Sequence, residues 1–204
     1  MQRMFIIGIT GGSGSGKSSI VNAIAEGFDK NQLTVLSQDR YYNPLDHLSP
    51  EERSVQNFDH PSAFDYDLLE KHLQELKKGN TIPAPVYSFV KETRESETDP
   101  ISPTPILLLE GILLMNHPKI KSMVDLWIYI DTDEDHRLMR RVLRDTAERG
   151  QELTKVFRRY TEQVKPMHQN YIEASKSEAD IIINNNHHYD RSVQFVIKAI
   201  QQMV

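Results

Sequence analysis

Eight residues near the start of the chain, Gly11 to Ser18, read Gly-Gly-Ser-Gly-Ser-Gly-Lys-Ser. They fit the phosphate-binding pattern G-x-x-x-x-G-K-[ST], with Gly11, Gly16, Lys17 and Ser18 at the fixed positions. No other feature limits the fold as strongly, because such a loop works only between a buried strand and the N-terminus of a helix. Met4-Phe5-Ile6-Ile7-Gly8-Ile9 before it is short, apolar and rich in β-branched residues, and Ser18 to Ala25 after it has helical spacing. Backbone N–H groups of Gly11, Gly12, Ser13, Gly14, Ser15 and Gly16 can then ring a phosphate, with Ser19 opening the helix. Lys17 would reach the β- and γ-phosphates, and the Ser18 hydroxyl would ligate Mg²⁺. By composition alone, about one chain in a hundred of this length matches the pattern by accident. A flexible Gly/Ser linker is the competing reading, and it fails on context. A dinucleotide fingerprint needs G-x-G-x-x-G, whereas here the spacing is G-x-G-x-G followed by Lys17.

The 204 residues suffice for one α/β domain with a sizeable core, so residues 1–204 are expected to form a single unit. A net charge of −5 argues against a nucleic-acid surface and for a small nucleotide ligand. Without cysteine there is no disulfide and no thiolate chemistry, which suits a reducing cytoplasm. The apolar runs are too short for a membrane span or a secretory leader.

The runs Phe5–Ile9, Leu33–Leu36, Ile106–Leu109, Leu126–Ile130 and Ile181–Ile183 read as strands of nearly continuous apolar character. That is the pattern of a parallel sheet covered on both faces. Helical stretches alternate with them: Asp67 to Lys78 before Gly79, Thr132 to Arg149, and Arg191 to Met203. The expected fold is a doubly wound, mostly parallel α/β sheet with helices on both faces. From Thr81 to Pro105, five prolines surround Val86-Tyr87-Ser88-Phe89-Val90, a β-hairpin or extended flap on the main sheet.

Ligands in such sheets bind beyond the carboxyl ends of the strands. Asp39, in Ser37-Gln38-Asp39-Arg40-Tyr41-Tyr42, could take a proton from an attacking hydroxyl there and see a bound metal, although an ordinary turn aspartate fits too. Glu110 closes an apolar strand, as a direct or water-bridged Mg²⁺ ligand would, or as a solvated strand-end acid would. On the helix from Thr132, Arg137, Arg141 and Arg144 share one face, flanked by Arg140 and Arg149. Helix-dipole preferences explain acids first and arginines last, but not this many arginines in an acidic chain. An arginine-bearing lid over 137–151 would place cations on a moving γ-phosphate. In Asn57-Phe58-Asp59-His60-Pro61, Phe58 could stack on a base and Asp59 accept from sugar hydroxyls, or the segment could be a plain loop. His187 and His188 read as a surface turn and Trp127 as core. His72 and His168 have no acidic partner at ligand spacing, so no histidine metal site is expected.

No N-K-x-D or D-x-x-G pair marks a GTPase, and no L-S-G-G-Q signature marks a transporter ATPase. A small-molecule kinase remains. The chain resembles the uridine/cytidine kinase family of the phosphoribulokinase group. The shared motifs are the glycine loop, Ser-Gln-Asp-Arg-Tyr-Tyr, Asn-Phe-Asp-His-Pro-Ser-Ala-Phe-Asp, Pro-Val-Tyr-Ser-Phe, Leu-Glu-Gly-Ile-Leu and Arg-Arg-Val-Leu-Arg-Asp-Thr-Ala-Glu-Arg-Gly, in order along nearly the whole chain. The resemblance implies ATP or GTP as phosphate donor, Mg²⁺, a ribonucleoside acceptor, and a homotetramer. It implies Asp39 as base for the 5′-hydroxyl, and Ser18 and Glu110, with Asp39 nearby, at the Mg²⁺ site. Asp59 and Arg141 match ribose contacts, and Tyr42, Phe58, Tyr87, Phe89 and Ile112 match the nucleoside walls. Arg144 and Arg149 match the lid, Arg149 also reaching the substrate, and with Lys17 and Asp39 they are the expected catalytic residues.

Three positions depart from the family pattern. Glu92 stands where the family has a histidine reading the pyrimidine 4-position, Gln151 where an arginine is frequent, and Arg159 where a glutamine is common. An ionised Glu92 only accepts, so it would suit the 4-amino group of cytosine and repel the 4-carbonyl of uracil. The expectation is that uridine is disfavoured against cytidine or a non-standard ribonucleoside, unless Glu92 faces solvent. A sugar-phosphate kinase, with Arg158 or Arg159 in the acceptor pocket, and a non-catalytic nucleotide-binding regulator are the other readings.

Overall fold

The computed structural model describes residues 3–202. Strands β1 (Phe5–Thr10), β2 (Leu33–Ser37), β5 (Ile106–Glu110), β6 (Leu126–Asp131) and β7 (Ile181–Asn184) form one parallel sheet in the order β2-β5-β1-β6-β7. Each runs one residue past its apolar stretch and ends on a polar residue: Thr10, Ser37, Glu110, Asp131 or Asn184. The ladder continues through these polar residues because their backbone hydrogen-bond partners persist, and Thr10 and Glu110 are buried there. The five polar ends mark one sheet edge, and the phosphate loop leaves β1 at that edge.

Alternation along the strands feeds two cores. Ile6, Leu107 and Leu109 pack on one face with Leu69, Leu73 and Leu76 of helix α3 (Tyr66–Lys77). Ile7, Ile9, Leu108 and Ile128 pack on the other with Ile20 and Ile24 of α1 (Lys17–Ala25) and Val196 and Ile200 of α8 (Asp190–Gln201). Each such side chain, fully buried, contributes about 1.5–3 kcal/mol of transfer free energy. Trp127 is core, as expected: a Cβ on Gly8 would lie 2.3 Å from its ring, so the indole fits only because Gly8 has none. The expected end of the last helix at Met203 lies outside the described residues.

The remaining α-helices are α2 (Pro50–Ser54), α4 (Pro118–Met123), α5 (Glu134–Ala147), α6 (Leu153–Arg159) and the short α7 (Lys165–Met167). Among them, α4 packs beside α3 with Ile120 in the first core, and α5 reaches the sheet edge. The helix expected from Thr132 begins at Glu134 with Asp133 as its cap. Wider π-type turns flank α7, at Tyr160–Val164 and His168–Ile172, around Pro166, which has no N–H for the regular ladder.

Strands β3 (Ile82–Ser88) and β4 (Thr93–Ile101) form an antiparallel hairpin, shifted in register between Pro85 and Tyr87. It is a two-stranded sheet of its own and does not extend the main sheet. Pro83 and Pro85 remove two donors from the same edge of β3, so that edge cannot accept another strand.

Candidate active site

The loop after β1 follows from its glycines. Gly14 and Gly16 adopt left-handed backbone, φ 80° and 85°. A Cβ at Gly14 would lie 2.3 Å from the Arg137 carbonyl, and one at Gly16 would lie 2.4 Å from Asn185 Nδ2. The Ser15 carbonyl is held from three sides, by the Thr132 hydroxyl at 3.0 Å, Asn185 Nδ2 at 2.7 Å and Arg140 Nη1 at 3.4 Å. The Ser15 amide closes the loop on the Gly12 carbonyl at 3.0 Å. The Lys17 ammonium donates to the Gly11 and Gly12 carbonyls at 2.9 and 3.1 Å. Burial lowers its pKa, against the pull of Glu110 and Asp39.

Ser13, Gly14, Gly16, Lys17, Ser18 and Ser19 line a cavity of about 350 Å³, whereas Gly11, Gly12 and Ser15 lie beneath its floor. Such a volume suits a small molecule. The Ser18 hydroxyl sits 3.4 and 3.5 Å from the two Glu110 oxygens. Asp39 enters from the turn after β2, its backbone N–H capped by the Ser37 hydroxyl. Burial pushes its carboxyl up to about 6, Glu110 adds to the rise, and Lys17 opposes it. A carboxylate poised there is a competent proton acceptor near neutral pH.

The arginines divide in a way their spacing alone does not reveal. Arg137, expected in the lid, turns inward under the loop. Its Nε donates to the Thr132 carbonyl at 3.1 Å, and it lies outside the cavity lining. Arg140, Arg141, Arg144 and Arg149 do line the cavity. Asp145, almost fully buried, gathers three of them. Arg144 Nε donates to it at 2.9 Å, and Arg141 Nε and Arg149 Nη1 lie 3.2 Å away. One carboxylate thereby offsets mutual repulsion among three cations. Asp145 is not among the site residues expected from sequence, although its place four residues after Arg141 is a usable signal. Arg141 also donates to the Ser13 hydroxyl at 2.8 Å and faces Asp59 at 3.8 Å.

Aromatic rings wall the far side. Tyr42 stacks on Phe64 and meets Phe58 and Tyr87, with centroid distances of 4.2, 5.6 and 4.8 Å. Tyr87 meets Phe89 edge-on, and the Arg149 guanidinium lies 3.8 Å above the Phe89 ring. Ile112 completes this wall. The hairpin thus brings Tyr87, Phe89 and Glu92 over residues that follow β2 and β5.

Glu92 faces the cavity and not solvent, and it is not alone. Its Oε1 accepts from Arg159 Nη2 at 2.7 Å, while Gln151 lines the same end. Arg158 is exposed. His168 has the acidic partner that its spacing did not suggest: Nε2 lies 2.8 Å from Glu173 Oε2, across the widened turn after Pro166. His72 instead contacts the Tyr41 hydroxyl at 2.9 Å. His187 and His188 are exposed in a bend. Among the described residues, no group of three or more His, Cys, Asp or Glu side chains could hold a metal, and no helix is long and apolar enough to cross a membrane.

A model of the phosphoribulokinase/uridine kinase family matches residues 6–192. A uridine kinase of Clostridium tetani is 44% identical over 203 residues, covering 100% of this chain and 97% of that protein. A uridine kinase of Brevibacillus brevis is 44% identical over 178 residues, 87% of this chain and 83% of that protein. Among solved structures, a putative fructose transport system kinase from Silicibacter superposes with a TM-score of 0.72 at 19% identity, covering 89% and 90% of the two chains. A possible uridine kinase from Bacillus stearothermophilus gives 0.59 at 16% identity, covering 89% of each. These two likenesses speak for the fold alone. The family match, the relatives and the phosphate loop agree, and this chain belongs to the phosphoribulokinase/uridine kinase family.

Proposed function

We propose that the protein is a nucleoside kinase that transfers the γ-phosphoryl group of ATP to the 5′-hydroxyl of a pyrimidine ribonucleoside, giving ADP and the nucleoside 5′-monophosphate. The observation that carries this reading is convergence. A phosphate loop, a strand-end and a turn carboxylate, a set of arginines and an aromatic wall meet around one cavity. The uridine kinases among the relatives support the acceptor class.

Loop amides and Lys17 hold the triphosphate, with the Lys17 ammonium moving off the Gly11 and Gly12 carbonyls to do so. The Ser18 hydroxyl and the Glu110 carboxylate, with Asp39 close by, are the hard oxygen donors that Mg²⁺ takes. When bound, Mg²⁺ offsets charge on the β- and γ-phosphates. Asp39 orients the 5′-hydroxyl and accepts its proton as the oxygen bonds to the γ-phosphorus and the bond to the β-phosphate oxygen breaks. Arg141 and Asp59 hold the ribose. Arg144 and Arg149, fixed by Asp145, meet the charge of the loose transition state.

A phosphate-bearing acceptor would need a free cation at the far end. Arg159 is paired with Glu92 and Arg158 is exposed, so that end favours an uncharged acceptor. The test is ADP formation from Mg·ATP with cytidine, uridine, purine ribonucleosides and ribulose 5-phosphate. Turnover with a pyrimidine ribonucleoside is expected. Turnover with ribulose 5-phosphate alone would move the protein to the sugar-phosphate branch, and none with any acceptor would favour a regulator.

A further inference from the structure

We infer that Glu92 and Arg159 together form the element that discriminates between pyrimidine bases, and that it favours cytidine over uridine. This rests on the nucleoside-kinase reading above. Both side chains line the cavity, are about nine-tenths buried, and form an ion pair at 2.7 Å. Arg159 Nη2 spends both hydrogens, one on Glu92 Oε1 and one on the Ser54 carbonyl at 2.6 Å. Its Nε is buried without a partner. Glu92 Oε2 accepts from no protein donor among the described residues. Two of the five guanidinium hydrogens are thus spent within the protein, and the pair offers a ligand a carboxylate acceptor beside guanidinium donors.

The backbone locks this arrangement. Glu92 is the one non-glycine residue with positive φ among the described residues, at 55°. Left-handed backbone is unfavourable for a glutamate, and such strain persists where surrounding contacts over-determine it. Here the contact is Arg159, itself tied to the end of α2 and 5.8 Å above the Phe58 ring.

Discrimination follows from what the two groups cannot do. A glutamine can flip and a histidine can change tautomer, exchanging donor for acceptor. A carboxylate only accepts and a guanidinium only donates. Cytosine presents a donor at position 4 and an acceptor at N3, while uracil presents the same two functions in reverse order. A fixed pair fits one order and sets like against like in the other. With Glu92 at the 4-position, the cytosine amino group donates to Oε2 and N3 accepts from Arg159. Uracil in the same seat places its 4-carbonyl against the carboxylate. The protein thus keeps its own counter-charge in the pocket, and the departures at Glu92 and Arg159 act as one coupled change.

The experiment compares kcat/KM for cytidine, uridine and the 2-pyrimidinone ribonucleoside, which lacks the 4-amino group, in the unaltered protein and in Glu92→Gln. Cytidine should exceed the other two by about tenfold or more. Glu92→Gln keeps the shape and the bond to Arg159 but can flip. It should bring uridine to within about threefold of cytidine, chiefly through the nucleoside KM, with the KM for ATP unchanged. Equal use of cytidine and uridine by the unaltered protein, or a preference that survives Glu92→Gln, would overturn the inference and leave the kinase reading standing. The pyrimidinone comparison needs no variant, so a poorly folding Glu92→Gln does not rescue the idea. Failure to phosphorylate any pyrimidine ribonucleoside would overturn both readings.

Discussion

Replacing Asp39 by asparagine should separate activity from stability in opposite directions. In the folded protein the carboxyl is pushed from its model-compound value of 3.8 to about 6, first by burial and then by Glu110. At about 1.4 kcal/mol per pKa unit, that is about 3 kcal/mol of strain on the ionised form. Asp39 is partly exposed and shares charge with Glu110, so solvent screening reduces this to about 1–2 kcal/mol. The sign follows from proton binding. Between pH 4 and 6 the folded carboxyl holds a proton that the unfolded one has released, so stability falls as pH rises through that window. Asparagine carries no charge to bury. Asp39→Asn should therefore raise the melting temperature by about 3–6 °C at pH 8, with the gain fading toward pH 4. The same change removes the proposed base and should cut turnover by about 10² or more with the KM for ATP nearly unchanged. Thermal melts at several pH values and a steady-state ADP assay measure both. A variant that is less stable at pH 8, or one that turns over within tenfold of the parent, would refute the assignment of a strained carboxylate base.

Activity of the parent should follow an acidic limb with a midpoint below the metal-free Asp39 value of about 6, because Mg²⁺ offsets the Glu110 charge, and Asp39→Asn should lose that limb in kcat/KM against pH. Asp145→Asn leaves three arginines without their shared carboxylate, so the melting temperature should fall by an amount equal to about 3 kcal/mol and nucleoside kcat/KM should drop with it. Gly16→Ala forces a side chain into left-handed backbone against Asn185. It should abolish measurable ATP binding by calorimetry while the melting curve stays cooperative.

The alternation of apolar strands with amphipathic helices, and a glycine loop at the first turn, determined the doubly wound sheet and the nucleotide end of the site. Those features are local, because strand, loop and helix adjoin in sequence and their spacing carries the geometry. Glu110 closes the apolar run of β5 and Asp39 follows that of β2 by three residues, so both fall near the one sheet edge where every run ends. What lay beyond the sequence was pairing over long separations. Arg137 and Arg144 share a helix face, yet one supports the loop and the other lines the cavity, because the loop packs against only the first turns of α5. Pro166 widens the backbone turns and brings Glu173 to His168 across a spacing that no regular helix provides. Glu92 and Arg159 are 67 residues apart, and either alone reads as a single departure. Only the hairpin folding over the cavity, toward the end of α6, makes them an ion pair. In a low-dielectric pocket the meaning of a charge is set by the group it faces, and that group is chosen by the tertiary fold.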